Sequence, residues 1–123
     1  MKMTNIIPTY IYNGLGFPIE LHDVEMELYE GELYPKIDVR KVADMAIKSL
    51  LFQESKLTGH QIKFIRTYFS KTLREFSMII GETPSTIKEW ENFSNRPINM
   101  KLGDEILLRS FIFNTLLSKI LKG

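Results

Sequence analysis

The sequence predicts a mainly α chain: a C-terminal bundle of capped helices, two of them meeting at a tight turn, preceded by a small α+β module of short antiparallel strands and one helix. Three observations predict it. From Thr58 onward, apolar residues recur at three- and four-residue spacing, and several of these runs open on a hydroxyl residue suited to capping. Between Ile19 and Pro35, apolar residues instead alternate with mostly acidic ones. The 123 residues, 44% of them hydrophobic, are enough for one domain with a packed core, or one domain with a small appendage. The division expected is an α+β module over residues 1–57 and the helical part over 58–123.

In chain order, residues 1–18 read as irregular. Pro8, Gly14, Gly16 and Pro18 punctuate them, and only Tyr10-Ile11-Tyr12 suggests a short strand. Ile19 and Leu21 start a strand whose phase breaks at His22-Asp23, which reads as a turn or bulge, and Val24, Met26 and Leu28 resume it. Glu30-Gly31-Glu32 makes a hairpin turn into a short Leu33-Tyr34 strand that Pro35 ends. Such a sheet is too small to be stable alone. Asp38 then caps a helix in which Val39, Val42, Ala43, Ala46, Ile47, Leu50 and Leu51 form one apolar stripe, expected to cover the sheet. Gln53 to Leu57 reads as a polar link.

In the second part, Thr58 with Gln61 and Thr72 with Glu75 each have the spacing of a capping box, in which hydroxyl and carboxamide or carboxylate serve each other's free amides. They open helices over about 59–70 and from 72 to Gly81. Ile62, Ile65 and Phe69 make the inward face of the first. Thr83 is an N-cap, and Pro84 stands at the first helical position, where its missing N–H costs nothing. Asn92 to Pro97 is a loop, and a last helix runs from about Leu102 to Leu121.

Several chemistries find no support. There is no cysteine, hence no disulfide framework and no thiolate zinc site, as suits a reducing cytosol. The N-terminus lacks a charged segment followed by an apolar run, so no signal peptide is expected. The most apolar segment, Ile106 to Leu121, contains Arg109, Asn114 and Lys119 and is short for a membrane span. The two histidines, His22 and His60, have no carboxylate at metal-ligand spacing. The glycines of Gly14 to Phe17 lack the strand–turn–helix unit of a phosphate loop. No catalytic constellation, cofactor or metal is expected, and the location expected is cytoplasmic.

Thr72 to Glu91, TLREFSMIIGETPSTIKEWE, resembles the Cro-like, or xenobiotic-response-element, helix-turn-helix family. The resemblance rests on Thr72, Phe76, Ile80, Gly81, Thr83, Thr86, Ile87, Trp90 and Glu91. Gly81 suits the turn because a residue without Cβ takes positive φ at no cost. With the preceding LTGHQIKFIR and the small N-terminal module, the chain is also similar to antitoxins of type II toxin–antitoxin modules, the MqsA- and HigA-like group. The resemblance implies a DNA-binding repressor of its own operon. The chain departs from the family at Leu73, where a glutamine is usual, at Ser77 in place of alanine, at Glu82 in the turn and at Phe93. The zinc of some relatives does not carry over, because their cysteines are missing.

If the motif binds double-stranded DNA, helical spacing presents Thr83, Ser85, Thr86, Lys88, Glu89 and Asn92 from the third helix. Lys88 suits guanine or phosphate, and Glu89 suits the cytosine amino group. Lys71, Thr72 and Arg74 stand at the positive end of the preceding helix, suited to phosphate, and Asn95 and Arg96 follow in the loop. Charge is distributed accordingly: residues 1–57 carry six Lys/Arg against nine Asp/Glu, and residues 58–123 carry ten against six. Leu73, Glu82 and Glu89 leave a second reading open, a protein-interaction module with this fold that does not bind DNA. The acids Glu20, Asp23, Glu25, Glu27, Glu30 and Glu32 offer a docking surface for a basic partner such as a ribonuclease toxin.

Apolar residues surround the whole wheel of the last helix, so one stripe packs inward and the others need cover. Cover comes either from the rest of the chain or from a second copy. Because two-fold operators are read by dimers, a homodimer through Ile106, Phe111, Phe113, Leu117 and Ile120 is expected.

Overall fold

The computed structural model describes residues 5–122 and has an α+β fold. Among them are a three-stranded antiparallel sheet, in the order β1-β2-β3, and five helices. The chain divides into two compact units, residues 1–46 and 47–123.

The first unit holds the sheet. Strand β1, Asn5–Tyr12, pairs along its length with β2, Ile19–Tyr29. The strand at the N-terminus is thus much longer than the expected Tyr10-Ile11-Tyr12, because pairing with β2 recruits residues that show no local strand pattern. Pro8 is tolerated because β1 is an edge strand. β2 is likewise one strand without a turn or inserted residue at 22–23, its register to β1 being the same on both sides. The face does change, however. Leu21 and then Val24 and Met26 are buried, while on β1 the half-buried residues are Ile7 and then Tyr10 and Tyr12. Asp23, at φ 53°, lies in the left-handed region opposite Pro8, and both strands shift phase together there.

Glu30 and Gly31, at φ 49° and 83°, make the two-residue turn to β3, Glu32–Pro35. Positive φ at both positions matches the twist of the paired strands. Helix α1, Val39–Leu51, opens where the Asp38 carboxylate accepts from the amides of Arg40 (3.1 Å) and Lys41 (3.3 Å). Its Val42 completes the core of this unit with Leu21, Val24 and Met26, rimmed by Ile7, Tyr10, Tyr12, Leu15, Ile19 and Ile37. Val39, expected in the stripe, is 53% exposed.

The second unit begins in the last turns of α1, where Ile47 and Leu50 are buried. It continues with α2, Gly59–Tyr68; α3, Leu73–Ile80; α4, Pro84–Glu91; and α5, Leu102–Lys122. Both capping boxes form. Ile62, Ile65, Phe76, Ile80, Ile87, Leu108 and Ile112 are sealed from solvent. Phe64, outside the expected inward face of α2, is buried as well. The link before α2 is only partly polar, since Leu57 is buried and its carbonyl accepts from the Ile98 amide at 2.9 Å.

Arg109 of α5 has a structural task within this unit. Its guanidinium donates to the carbonyls of Leu50, Leu51 and Gln53 and pairs with Glu105 at 2.9 Å. The carbonyls at the end of α1 thereby obtain the donors that the helix itself does not supply.

Candidate nucleic-acid interface

The turn between α3 and α4 is closed from both sides by local chemistry. Thr72 accepts from the Glu75 amide (3.1 Å), and the Glu75 carboxylate accepts from the Thr72 amide (2.9 Å). The bond from the Thr72 amide foremost, then hydrogen bonding from the Thr72 side chain, holds the Glu75 carboxyl below its usual range. At the other end of α3, the amides of Gly81 and Glu82 both reach the Ser77 carbonyl, at 2.8 and 3.0 Å. Gly81 is left-handed, at φ 86° and ψ 28°. A Cβ there would meet only Leu107 at 3.9 Å, so backbone conformation and not space calls for glycine. Thr83 then accepts from the Thr86 amide at 3.2 Å, with Pro84 in the first turn.

Behind the turn, Phe76, Ile80, Ile87 and Trp90 are buried and fix α3 against α4. Ser77 fits this interior because its hydroxyl is satisfied locally, donating to the Arg74 carbonyl at 2.7 Å. A polar clamp completes the frame. Arg66 of α2 forks onto both carboxylate oxygens of Glu91, at 2.7 and 3.0 Å, and donates to the Lys71 carbonyl at 2.9 Å. Both side chains are largely shielded, 16% and 9% exposed, and the bond to Glu91 is the main reason the guanidinium holds its proton more tightly than usual. One planar group thus joins α2, the α2–α3 connection and the end of α4.

The α2 N-terminus is docked just as closely. The amides of His60 and Gly59 donate to the carbonyls of Ser94 and Arg96, at 2.8 and 3.3 Å. A Cβ on Gly59 would run into the Trp90 carbonyl and stand 2.8 Å from the Ser94 nitrogen. Glycine is required here by close backbone approach.

On this frame the expected contact residues fall into two groups. Arg74, Ser85, Lys88, Glu89 and Asn92 are exposed, with no side-chain partner among the described residues. The others have local engagements. Thr72 and Thr83 serve as caps, and Thr86 is half-buried with its hydroxyl 3.0 Å from that of Thr83. Lys71 is half-buried. Asn95 is 3.1 Å from the His60 ring, and Arg96 folds back over Phe93, 5.0 Å from its centroid.

Of the departures noted in the sequence, Leu73 is half-buried. Glu82 is half-buried and turned to Asp104 of α5. Hydrogen bonding with Asp104 foremost, then desolvation and the neighbouring charge, raises the Glu82 carboxyl above its ordinary range, while Lys101 opposes the shift. Oδ2 of Asp104 is shielded from solvent and has no hydrogen-bond partner. Of Leu73, Glu82 and Glu89, the three residues that leave the second reading open, Glu89 alone is exposed.

On α5, Ile106, Phe113, Leu117 and Ile120 are 55, 51, 40 and 70% exposed. Phe111, also expected there, is half-buried and meets the Phe69 ring edge-on at 5.0 Å within its own chain. The Arg66–Glu91 clamp, Gly59 and the Glu82–Asp104 pair were not anticipated, because each joins positions far apart in sequence. Among the described residues no helix is long and apolar enough to cross a membrane, and no group of His, Cys, Asp or Glu is placed to hold a metal.

No family model, no curated protein and no solved structure matches this chain.

Proposed function

We propose that this chain is a sequence-specific DNA-binding regulator, a homodimeric repressor that acts as an antitoxin-like regulator of its own operon in the cytoplasm. The observation that carries this reading is the α3–turn–α4 pair. It is capped at each end and packed from behind, and it leaves one face of α4 with Ser85, Lys88, Glu89 and Asn92 unengaged. In this reading the pair is a helix-turn-helix and α4 lies in the major groove. Lys88 and Ser85 meet base edges, and Arg74 meets phosphate beside the α3 N-terminus. Two copies joined through α5 place their α4 helices about one DNA turn apart, roughly 34–36 Å. The acids along β2 and β3 supply a docking face for a basic toxin.

Mobility shift on the DNA upstream of the gene, at several salt concentrations, is the test. A specific shift at moderate salt supports the reading, and its absence counts against it. The dimer is tested by Phe113→Asp combined with Leu117→Asp, which should give monomers in sedimentation. An unchanged mass would reject α5 as the interface.

Glu89 favours a second reading, a protein-interaction module with this fold and no DNA affinity, because its exposed carboxylate repels phosphate. Alanine at Arg74 and Lys88 separates the two. A repressor loses operator affinity, whereas an interaction module keeps its partner.

A further inference from the structure

Helix α5 has its polarity reversed for a surface helix. At 100° per residue, its five charged residues, Asp104, Glu105, Arg109, Lys119 and Lys122, fall within an arc of about 140° that also contains the buried Leu108 and Ile112. Several are occupied by their own unit. Arg109 caps α1 and pairs with Glu105, Asp104 meets Glu82, and Lys119 lies over Tyr68 and Phe69. The opposite side carries no charge along the entire helix, and it is the exposed side. A helix facing only water shows the reverse arrangement.

That uncharged side has a definite pattern. Gly103, Ile106, Ser110, Phe113, Leu117 and Ile120 follow one another at alternating spacings of three and four, the spacing of a coiled-coil seam, and all six are exposed. Small and large residues are mixed along it. A Cβ on Gly103 would meet nothing within 4 Å, so nothing in its own chain calls for glycine in this first turn.

We propose that the occupant of this seam is α5 of a second copy, running antiparallel, with the two-fold axis passing between Phe111 and Ile112. This rests on the dimer reading above and specifies its geometry. In this register Gly103 faces the partner's Ile120, Ile106 faces the partner's Leu117, and Ser110 faces the partner's Phe113. Each small residue receives a large one, and the six layers fill evenly. A parallel, in-register pair instead sets glycine on glycine and serine on serine, leaving two hollow layers beside a crowded pair of phenylalanines. It also aligns the two helix dipoles, which the antiparallel pair sets opposed. A stable interface takes roughly 800 Å² from each partner. The seam and its flanking Leu102, Leu107 and Leu121, 73, 48 and 78% exposed, supply area of that order.

The absence of native cysteine makes the test direct. Ile106→Cys and Leu117→Cys are prepared separately, then each alone and an equal mixture are oxidised and run on a non-reducing gel. The antiparallel register predicts a disulfide-linked dimer from the mixture only, because two copies of position 106 lie roughly 16 Å apart along the axis. Efficient linking of Ile106→Cys alone means a parallel pair: it overturns the register and leaves the dimer standing. No linking, together with a monomeric mass for the unmodified chain, removes the dimer as well, while mobility shift still decides DNA binding independently.

Size exchange supplies a second measurement. Ser110→Phe should weaken the dimer about tenfold or more. Adding Phe113→Ser should restore it, because the layer is again one small and one large residue. Failure of the double variant to recover, with helicity unchanged by circular dichroism, contradicts the register.

Discussion

The sheet unit and the helical unit attain order by different means. In the helical unit seven side chains from α2 to α5 are at most 1% exposed, whereas the buried residues of the sheet unit all retain 5 to 9%. The sheet depends on pairing between strands and on left-handed backbone at Asp23, Glu30 and Gly31. The helical unit closes its α2, α3 and α4 ends with nearby residues, then locks the helices together with one ion pair and one glycine contact. The rigid frame therefore lies where the candidate contact face is, and the sheet contributes surface more than interior. That surface is acidic: Glu20, Asp23, Glu25, Glu27, Glu30 and Glu32 are all exposed, and residues 5–35 contain no lysine or arginine.

Core truncation should separate the units most. Phe76→Ala should cost about 3–5 kcal/mol, and Leu21→Ala about 2–3 kcal/mol, since a site already open to solvent relaxes more readily. Urea unfolding gives both values, and equal losses would remove the distinction. The clamp comes next. Glu91→Ala leaves a shielded guanidinium without its partner and should cost about 2–4 kcal/mol, while Glu27→Ala on the exposed sheet face should stay within about 0.5 kcal/mol. Gly59→Ala should cost about 1–3 kcal/mol, because the atoms its methyl meets are backbone and cannot turn aside.

The smallest effect concerns pH. The fold raises the Glu82 carboxyl, so it binds that proton more tightly than the unfolded chain does. The resulting stability is present below the ordinary carboxylate range and is lost as pH rises through the raised value. Glu75 has the opposite sign: its lowered carboxyl stabilises above the ordinary range and loses that contribution as pH falls. Glu82→Gln offers Asp104 a permanent donor. Its melting temperature should exceed that of the parent chain near neutrality and converge with it in acid. Parallel curves at every pH would refute the pairing.

The helical ends were legible in the sequence because capping is local. Thr58 with Gln61, Thr72 with Glu75, and Thr83 with Pro84 declare themselves within four residues, as does the hairpin turn at Glu30-Gly31. Strand β1 was not legible ahead of Tyr10 because its order there comes from β2, a partner across a loop. The phase shift at 22–23 was visible as a broken alternation, but its cause, one left-handed Asp23 with the register kept, needs both strands. At the candidate interface the residue types were readable and their engagements were not. Nothing near Arg96 in sequence says that it folds over Phe93, and nothing near Arg66 points to Glu91, 25 residues away. The exposed seam of α5 was partly readable: its apolar excess stood out, and only packing showed that Phe111 meets Phe69.

The most direct test of the central claim is the salt dependence of binding to the gene's own upstream DNA, measured by fluorescence anisotropy for the parent chain and for Lys88→Ala. The account predicts specific binding whose logarithm falls linearly with the logarithm of salt concentration. It also predicts weaker binding by Lys88→Ala, with a slope shallower by about one if Lys88 reaches a phosphate. Equal affinity for this DNA and a random duplex of the same length, unchanged by Lys88→Ala, would contradict it.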